Sequence, residues 1–153
     1  KKVLVIFFVV GRWAQKHQDL LKEMRRAGHL VGNHTEGHEK LTELSDDEVR
    51  AAIKGGLKAQ LLRPPYGAYN KRIRAIAHSL HYKISFWTVD SDDWKGISAH
   101  DIQERVWKNL HPGACVLLHL NAPHTLAALP RLIDGIRERG YELCHEGSEL
   151  DLS

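Results

Sequence analysis

The sequence has few cysteines and no long uninterrupted apolar run. Two cysteines among 153 residues, Cys115 and Cys144, are too few for a disulfide framework. Both lie in apolar, strand-like segments, so we expect buried thiols rather than a bridge. No segment reaches the roughly 18 apolar residues of a membrane-spanning helix, so the sequence predicts no membrane span.

Clustered positive charge is also missing. The chain carries 22 Lys and Arg against 19 Asp and Glu, for a formal net charge of +3. The basic residues are scattered, without the interleaved aromatic residues of a single-strand nucleic-acid channel. A composition of 42% hydrophobic and 27% charged residues is typical of a globular protein. We expect one domain over residues 1–153 and no nucleic-acid partner.

The apolar segment nearest the start covers residues 3–10 and is followed by Gly11 and Arg12. Its length would suit the apolar region of a signal peptide, but no small-residue cleavage site follows it. A buried strand, or two strands joined, is the better interpretation. Because the sequence does not begin with Met, it gives no information on targeting.

Short apolar runs alternate with amphipathic segments along the chain. The predicted strands cover residues 3–10, 30–32, 60–63, 84–89, 114–118 and 141–144. Five helices are predicted. The first runs from Trp13 to Met24 and is stopped by Gly28, and the second covers residues 46–54 after a capping box at Ser45. The third follows a cap at Asn70, the fourth runs from a cap at Ser98 to Leu110, and the fifth runs from Leu126 to Ile136 and is stopped by Gly140. This alternation predicts an α/β fold with a mostly parallel sheet, and fits both a barrel and an open sheet.

Residues with chemical potential follow four of the predicted strands. They are His34 and His38, Arg63, the acidic segment 90–94, and His119. In α/β folds the carboxyl ends of the strands carry the active site. Four strand ends therefore predict a single active-site rim.

The pair His34 and His38 has the spacing of two metal ligands. On a helical turn, residues four apart share one face and can chelate one divalent ion. Two histidines alone are also a frequent surface coincidence, and a catalytic site needs a third ligand. Thr35 replaces the glutamate that a zincin motif requires, and the Pro-Cys-x-x-Cys of zinc deaminases is absent.

Each of the other three segments has an ordinary structural alternative. The segment from Arg63 through Tyr66 to Gly67 reads equally as a proline-fixed turn. The segment 90–94 reads as an acidic loop, and a lone histidine such as His119 is more often structural than catalytic.

Together, the order and local sequence of the four segments resemble the polysaccharide deacetylase family (NodB-homology type, carbohydrate esterase family 4). That family has five motifs. The matching segments are His34-Thr35-Glu36-Gly37-His38 for the second, Arg63-Pro64-Pro65-Tyr66 for the third, Asp90-Ser91-Asp92-Asp93-Trp94 for the fourth and Leu117-Leu118-His119 for the fifth. The resemblance extends from about Ile6 to the C-terminus.

The resemblance implies a distorted (β/α) barrel, incomplete on its N-terminal side, and a hydrolase that removes acetyl groups from N- or O-acetylated polysaccharide. It also implies a divalent metal held by His34 and His38, with zinc expected and cobalt or nickel as alternatives. The ion would polarise the acetyl carbonyl and acidify a bound water. The expected partner is an acetylated glycan such as chitin, peptidoglycan or xylan, and the expected location is secreted or in the cell envelope.

The same resemblance assigns roles to the remaining residues. Tyr66 would donate its backbone N–H to the oxyanion, and Arg63 would orient the catalytic base. His119 would be the general acid, and Asp93 would hold it and stabilise its imidazolium form. The groove for the acetyl group and sugar would be lined by Pro65, Trp94 and Leu118.

The first motif of the family, Thr-Phe-Asp-Asp-Gly, is absent, although it supplies the base and the third metal ligand. Residues 1–5 run directly into Ile6, where the family has an intervening loop and helix. Either the sequence omits part of the natural chain, or the deletion is real. The first explanation, which we favour, predicts interruptions between Val5 and Ile6, near Gly55-Gly56 and near Asn121, with Cα separations far above about 3.8 Å.

Two functional alternatives remain. One is a catalytically inactive glycan-binding domain of the same fold. The other is an unrelated α/β domain with incidental histidines, in which His34, His38 and His119 would lie on different faces.

Overall fold

The structure is a computed structural model that describes residues 2–145. Its strands are β1 (Ile6–Val9), β2 (Leu30–Asn33), β3 (Leu61–Leu62), β4 (Lys83–Ile84), β5 (Val89–Asp90) and β6 (Val116–Leu117). Its helices are α1 (Gly11–Lys16), α2 (Gln18–Arg26), α3 (Asp46–Lys54), α4 (Lys71–Ser79), α5 (Ala99–Lys108) and α6 (Thr125–Glu138). The predicted α/β class with parallel strands is confirmed.

The chain divides into two compact units. The N-terminal unit, Leu4–Phe86, contains a four-stranded parallel sheet in the order β1-β2-β3-β4. The C-terminal unit, Trp87–Leu143, contains the parallel pair β5-β6 with α5 and α6. In each sheet the parallel direction brings the carboxyl ends of the strands to one edge.

The caps predicted for three helices of the chain are all present. At the start of α3 the Ser45 hydroxyl accepts from the Glu48 N–H, and the Glu48 carboxylate accepts from the Ser45 N–H at 2.8 Å. Asn70 and Ser98 cap α4 and α5 through their side-chain oxygens. These caps satisfy N–H groups that have no partner within the helix, so the predicted starts of all three helices are confirmed.

Several other predicted elements differ. The first strand begins only at Ile6, and the helix expected from Trp13 to Met24 is two helices that meet at His17, whose φ of −128° and ψ of 41° are not helical. Gly28 lies just past α2 with φ 89°, which confirms the predicted stop. The predicted last strand over residues 141–144 does not form.

The prediction of one continuous strand over residues 84–89 is wrong. Its two ends form β4 and β5, which belong to different sheets. Between them, the carbonyl groups of Ser85 and Phe86 accept hydrogen bonds from the Arg63 side chain instead of from a neighbouring strand. The apolar pattern could not reveal that these carbonyls have a side-chain donor.

The core of the N-terminal unit includes the buried residues Leu41, Val49, Ile53, Leu62 and Ile73. The core of the C-terminal unit is built on Val89, Val106, Leu132 and Ile136. On α6, Leu132 and Ile136 are buried together with Gly135, whereas Leu126, where the predicted helix begins, is 64% exposed. The Trp107 indole lies on Gly135 and donates to the Leu132 carbonyl at 3.3 Å, which joins α5 to α6.

The cysteines are more exposed than expected. Cys115 is half-buried, Cys144 is exposed, and the two are not joined by a disulfide. The prediction of buried thiols is wrong for Cys144, since the strand predicted around it does not form. Within residues 2–145, no helix has the length and apolar character to span a membrane.

Candidate functional site

Asn33, the last residue of β2, fixes the loop that carries the histidine pair. Its fully buried side chain donates to the Ile53 carbonyl at 2.8 Å and to the Tyr82 hydroxyl at 3.0 Å. Its side-chain oxygen accepts from the Thr35 N–H at 2.7 Å. Because every polar atom of this buried amide has a partner, the exit of the chain from β2 towards His34 is rigidly set.

Thr35 shapes the loop that follows. Its hydroxyl accepts from the N–H groups of His38 at 3.1 Å and Glu39 at 3.3 Å. Thr35 and His38 both have positive φ, at 65° and 68°. This conformation is strained for a β-branched residue such as Thr35. The helical turn assumed for the pair is therefore wrong, since the backbone here is a hydrogen-bonded loop.

The loop nevertheless brings the two imidazoles together. The ring centroids of His34 and His38 lie 4.8 Å apart, with the planes at 70°. His34 Nδ1 lies 2.6 Å from the Arg63 carbonyl oxygen. Since a carbonyl can only accept, Nδ1 carries the proton, and in the neutral ring Nε2 holds the lone pair that binds a metal.

Arg63 follows β3 and is 9% exposed. Its guanidinium lies over the Phe8 ring, 4.2 Å from the centroid, and donates to the carbonyls of Phe86 at 3.0 Å and Ser85 at 3.3 Å. Planar stacking and a fork of donors are properties of arginine that lysine lacks. Arg63 thus ties β1 and the end of β4 to the strand end that precedes Tyr66.

Tyr66 occupies the middle of a single 3₁₀ turn, Pro65–Gly67, with φ 61° and ψ 9°. Its side chain is 70% exposed, and its ring meets the His38 ring edge-on with centroids 4.7 Å apart. An N–H near the start of a short turn has no partner within the turn. Its strained backbone conformation next to the histidine pair is typical of functional positions. Pro65 itself is buried.

Glu39 directly follows His38 in the sequence. Burial opposes its charge, but hydrogen bonds from Thr35 and from the backbone N–H groups of Gly37 and Glu39, together with the Arg12 charge, hold its pKa below the ordinary value. Its Oε2 is buried and has no hydrogen-bond partner within residues 2–145. Glu39 is thus an ionised side chain beside His38.

The fit of a metal to this loop is incomplete. A three-ligand catalytic site needs one more donor beside the two imidazoles. In the described part of the chain, no group of three or more His, Cys, Asp or Glu side chains is placed to hold a metal ion, so Glu39 does not complete the set. The loop therefore brings two candidate ligands together, and the described residues add no third.

The C-terminal unit carries a second group of candidate residues. Asp93 begins a 3₁₀ turn, Asp93–Lys95, just after β5, and its side chain is completely buried. Its Oδ1 lies 2.8 Å from His119 Nδ1, and its Oδ2 accepts from the His119 backbone N–H at 2.6 Å. Thr125 donates its hydroxyl to the same Oδ2, also at 2.6 Å.

These contacts set the ionisation of Asp93. Burial opposes the charge, but the hydrogen bonds from His119 and Thr125 outweigh it and lower the pKa of Asp93 below its ordinary value. An ionised Asp93 accepts the Nδ1 proton of His119, which leaves Nε2 as the nitrogen that can exchange a proton with a ligand. The geometry of the pair suits a proton-exchanging imidazole that a buried carboxylate holds in place.

Asp92 holds the loop that presents Asp93. It has φ 55°, and its Oδ2 contacts both Lys95 at 2.9 Å and Arg105 at 2.7 Å. Arg105 also donates to the Asp90 carbonyl at 3.1 Å. Since the Asp92 side chain is only 11% exposed, this two-cation contact is worth more than a surface ion pair.

The predicted groove residues lie in different environments. Trp94 is 58% exposed beside the Asp93 turn, with the Lys95 ammonium 5.2 Å from its ring centre. Leu118 is half-buried and packs against the core cluster of the C-terminal unit. Of the predicted site residues, His34, His38, Arg63 and Tyr66 are grouped in the N-terminal unit, and Asp93 and His119 in the C-terminal unit.

Two residues of this machinery were not singled out from the sequence. The sequence patterns assign no role to either Asn33 or Thr125. The available signal was the same in both cases: a small polar residue at the junction between an apolar element and a histidine-bearing loop.

Known proteins resemble this chain over most of its length. A peptidoglycan-N-acetylglucosamine deacetylase of Bacillus cereus is 31% identical over 90% of the chain and 55% of that protein. A chitooligosaccharide deacetylase of Azorhizobium caulinodans is 27% identical over 92% of the chain and 78% of that protein. The chain spans about half the length of the curated relatives it first matches.

Solved structures confirm the family fold. A pseudoenzyme of carbohydrate esterase family 4 from Bacillus anthracis superposes with a TM-score of 0.89 at 31% identity, over 97% of this chain and 56% of that one. A mutant of that protein is described as having restored enzymatic activity. The sequence profile described as polysaccharide deacetylase matches residues 1–85, more than half of the chain. This chain belongs to the polysaccharide deacetylase family.

Proposed function

We propose that this chain is the core of a deacetylase that hydrolyses the acetyl groups of a polysaccharide built on N-acetylglucosamine. The observation that carries the proposal is the buried Asp93 carboxylate, which holds His119 by both its backbone N–H and its ring. A histidine with no function has no need to donate two hydrogen bonds to one buried carboxylate. Hydrolysis of an acetamide does need a positioned acid, because the departing amine must gain a proton.

In this proposal each unit supplies part of the chemistry. His119 gives its Nε2 proton to the sugar nitrogen as the C–N bond breaks, and Asp93 holds the ring in place through Nδ1. The N–H of Tyr66 donates to the oxyanion that forms on the acetyl oxygen. Trp94 and Leu118 are candidates for contact with the sugar ring and the acetyl methyl group, and Pro65 for the wall beside Tyr66.

The set of candidate metal ligands is incomplete, and the missing members indicate which part of the site is absent from the sequence. His34 and His38 would contribute two ligands for a divalent ion, with zinc the first candidate for paired imidazoles. No third ligand joins them within residues 2–145, and the sequence lacks the family's first motif, which supplies both that ligand and the base for the attacking water. We propose that both belong to an Asp-Asp segment between Val5 and Ile6 in the complete protein.

The proposed substrate class is inferred from the relatives. Those already described are named for peptidoglycan N-acetylglucosamine and for chitooligosaccharide. N-acetylated glucosamine polymers are therefore the substrates to test first, ahead of O-acetylated xylan. A peptidoglycan substrate would place the protein at the cell envelope or outside the cell.

A second candidate function is glycan binding without catalysis. It is favoured by the two-ligand metal loop and by a family relative that is described as a pseudoenzyme. A chain that keeps His119 and the exposed Trp94 but lacks the base would still contact a sugar. Such a domain would hold glycan without releasing acetate.

One experiment separates the two functions. The present chain is compared with a version in which a segment that carries the family's first motif, Thr-Phe-Asp-Asp-Gly, is grafted between Val5 and Ile6. Both are assayed with zinc for acetate release from N-acetylated chito-oligosaccharide. We expect the grafted chain to release acetate and the present chain to be slower by about 10²–10⁴-fold, the usual contribution of a general base.

The controls are a grafted chain with both aspartates changed to asparagine and a grafted chain with His119→Ala. Both should lose most of the gained activity. Acetate release that is absent from the grafted chain, with oligosaccharide binding retained in calorimetry, would overturn the enzyme proposal in favour of glycan binding.

A further inference from the structure

Thr125 occupies an unusual place for a polar side chain. It is the first residue of α6 and is fully buried. A hydroxyl in such a place needs a partner, since burying it unpaired costs free energy. Its partner is the catalytic carboxylate itself, because Oγ1 lies 2.6 Å from Asp93 Oδ2.

We propose that Thr125 is a positioning residue, whose hydroxyl fixes the Asp93 carboxylate so that Oδ1 faces His119 Nδ1. The inference deepens the proposed deacetylase function and rests on it for the kinetic effect. It names a residue outside the five family motifs.

The hydrogen-bond pattern supports this role. Oδ2 of Asp93 receives two donors, the Thr125 hydroxyl and the His119 backbone N–H. Both come from outside the Asp93 loop, one from α6 and one from the loop after β6. With Oδ2 held from two directions, the carboxylate cannot rotate without losing hydrogen bonds, and Oδ1 stays in line with the imidazole at 2.8 Å.

The same hydroxyl also acts on the charge of Asp93. A hydroxyl that donates to a buried carboxylate favours its ionised form. The titratable group that acts on Asp93 is His119, through its ring and its backbone N–H. Asp92 is itself compensated, because its Oδ2 is paired with Lys95 and Arg105.

Two substitutions separate the hydroxyl from the shape of the side chain. Thr125→Val keeps the volume and removes the donor, whereas Thr125→Ser keeps the donor and removes the methyl group. Thr42→Val, in the N-terminal unit, is a control that leaves Asp93 untouched. If the Thr125 side chain only filled space, Thr125→Ser would have a larger effect than Thr125→Val.

The first measurement does not depend on activity. Carboxyl carbon resonances of Asp93 are followed by NMR against pH in the chain as it stands. We expect Asp93 to titrate at a pH about one unit higher in Thr125→Val than in the unchanged chain, with Thr125→Ser close to the unchanged chain. Equal titration in the valine variant, or equal shifts in both variants, would overturn the proposal.

The second measurement uses the grafted chain. Because Thr125 acts on a group that works in the transition state, Thr125→Val should lower kcat by about tenfold, leave KM unchanged, and be rescued in Thr125→Ser. If the grafted chain is inactive, the deacetylase proposal fails while the titration still decides the role of Thr125. A rise in KM with unchanged kcat would contradict positioning.

Discussion

His34 donates a hydrogen bond from Nδ1 to the backbone carbonyl oxygen of Arg63, and the two atoms are 2.6 Å apart. The bond joins the loop after β2 to the loop after β3. It selects the tautomer of His34 in which Nε2 is the ligand atom, before any ion is present. Neither residue could be assigned this relation from the sequence, since the two are 29 positions apart.

Removing either imidazole should weaken zinc binding. We expect His34→Ala to lower the zinc affinity of the chain at least about tenfold, because even changes to the partners of metal-binding histidines cost about 10–100-fold. Isothermal titration calorimetry measures the affinity, with the exposed His100→Ala as the matched control. Equal affinities in the two variants would remove His34 from the metal site.

Replacing the buried carboxylate should change the pH dependence of stability. The pKa of Asp93 is lowered in the folded chain, so its ionised form adds stability above the ordinary value near 4 and loses it as the pH falls through the lower folded value. Asp93→Asn should therefore cost about 1–3 kcal/mol at pH 7 and progressively less below about pH 4.

Urea unfolding at pH 7, 5 and 3.5 tests that expectation. The exposed Asp19→Asn is the control and should change stability by less than about 0.5 kcal/mol at every pH. A penalty for Asp93→Asn that stays constant down to pH 3.5 would mean that Asp93 is not selectively stabilised as an anion.

Arg63→Lys should destabilise the N-terminal unit although the charge is kept. Lysine cannot both stack on Phe8 and reach the carbonyls of Ser85 and Phe86 in one plane. We expect a loss of about 1–3 kcal/mol in the free energy of unfolding. The exposed Arg26→Lys on α2 is the control, and an equally small effect in both variants would show that the planar contacts contribute little.

Gly56→Ala should disturb the loop that carries His34 and His38, through its contact with Asn33. A Cβ at this position would overlap the side-chain oxygen of the buried Asn33, which cannot yield without losing its hydrogen bond to Thr35. We expect a loss of about 1–3 kcal/mol and weaker zinc binding. Gly113→Ala has φ 77° and open space around it, so it should cost about 1–2 kcal/mol of backbone strain and leave zinc binding unchanged.

The sequence predicted best where local rules decide the structure. The range of α3 and the caps of α3, α4 and α5 follow from side chains within three residues of the helix start. The strand over residues 84–89 failed because a distant arginine takes two of its carbonyls. Local pattern reasoning has no access to a partner 22 positions away.

For the candidate site, the residue types were predictable but their geometry was not. The spacing of His34 and His38 suggested a helical turn, whereas Thr35 and His38 adopt positive φ in a loop held by side-chain hydrogen bonds. The pairing of Asp93 with His119 could be inferred only through family resemblance. The contact of Thr125 with Asp93 had no sequence signal of comparable strength.

The close packing of Trp107 on Gly135 gives α6 a fixed point far from its first residue. Ten residues of helix, about 15 Å, separate Gly135 from Thr125. A bulkier side chain at Gly135 would overlap the Trp107 ring and push α6 away from α5, so the first residue of the helix would move as well. The acidity of a buried carboxylate would then respond to a substitution that lies some 15 Å away and touches none of the reacting groups.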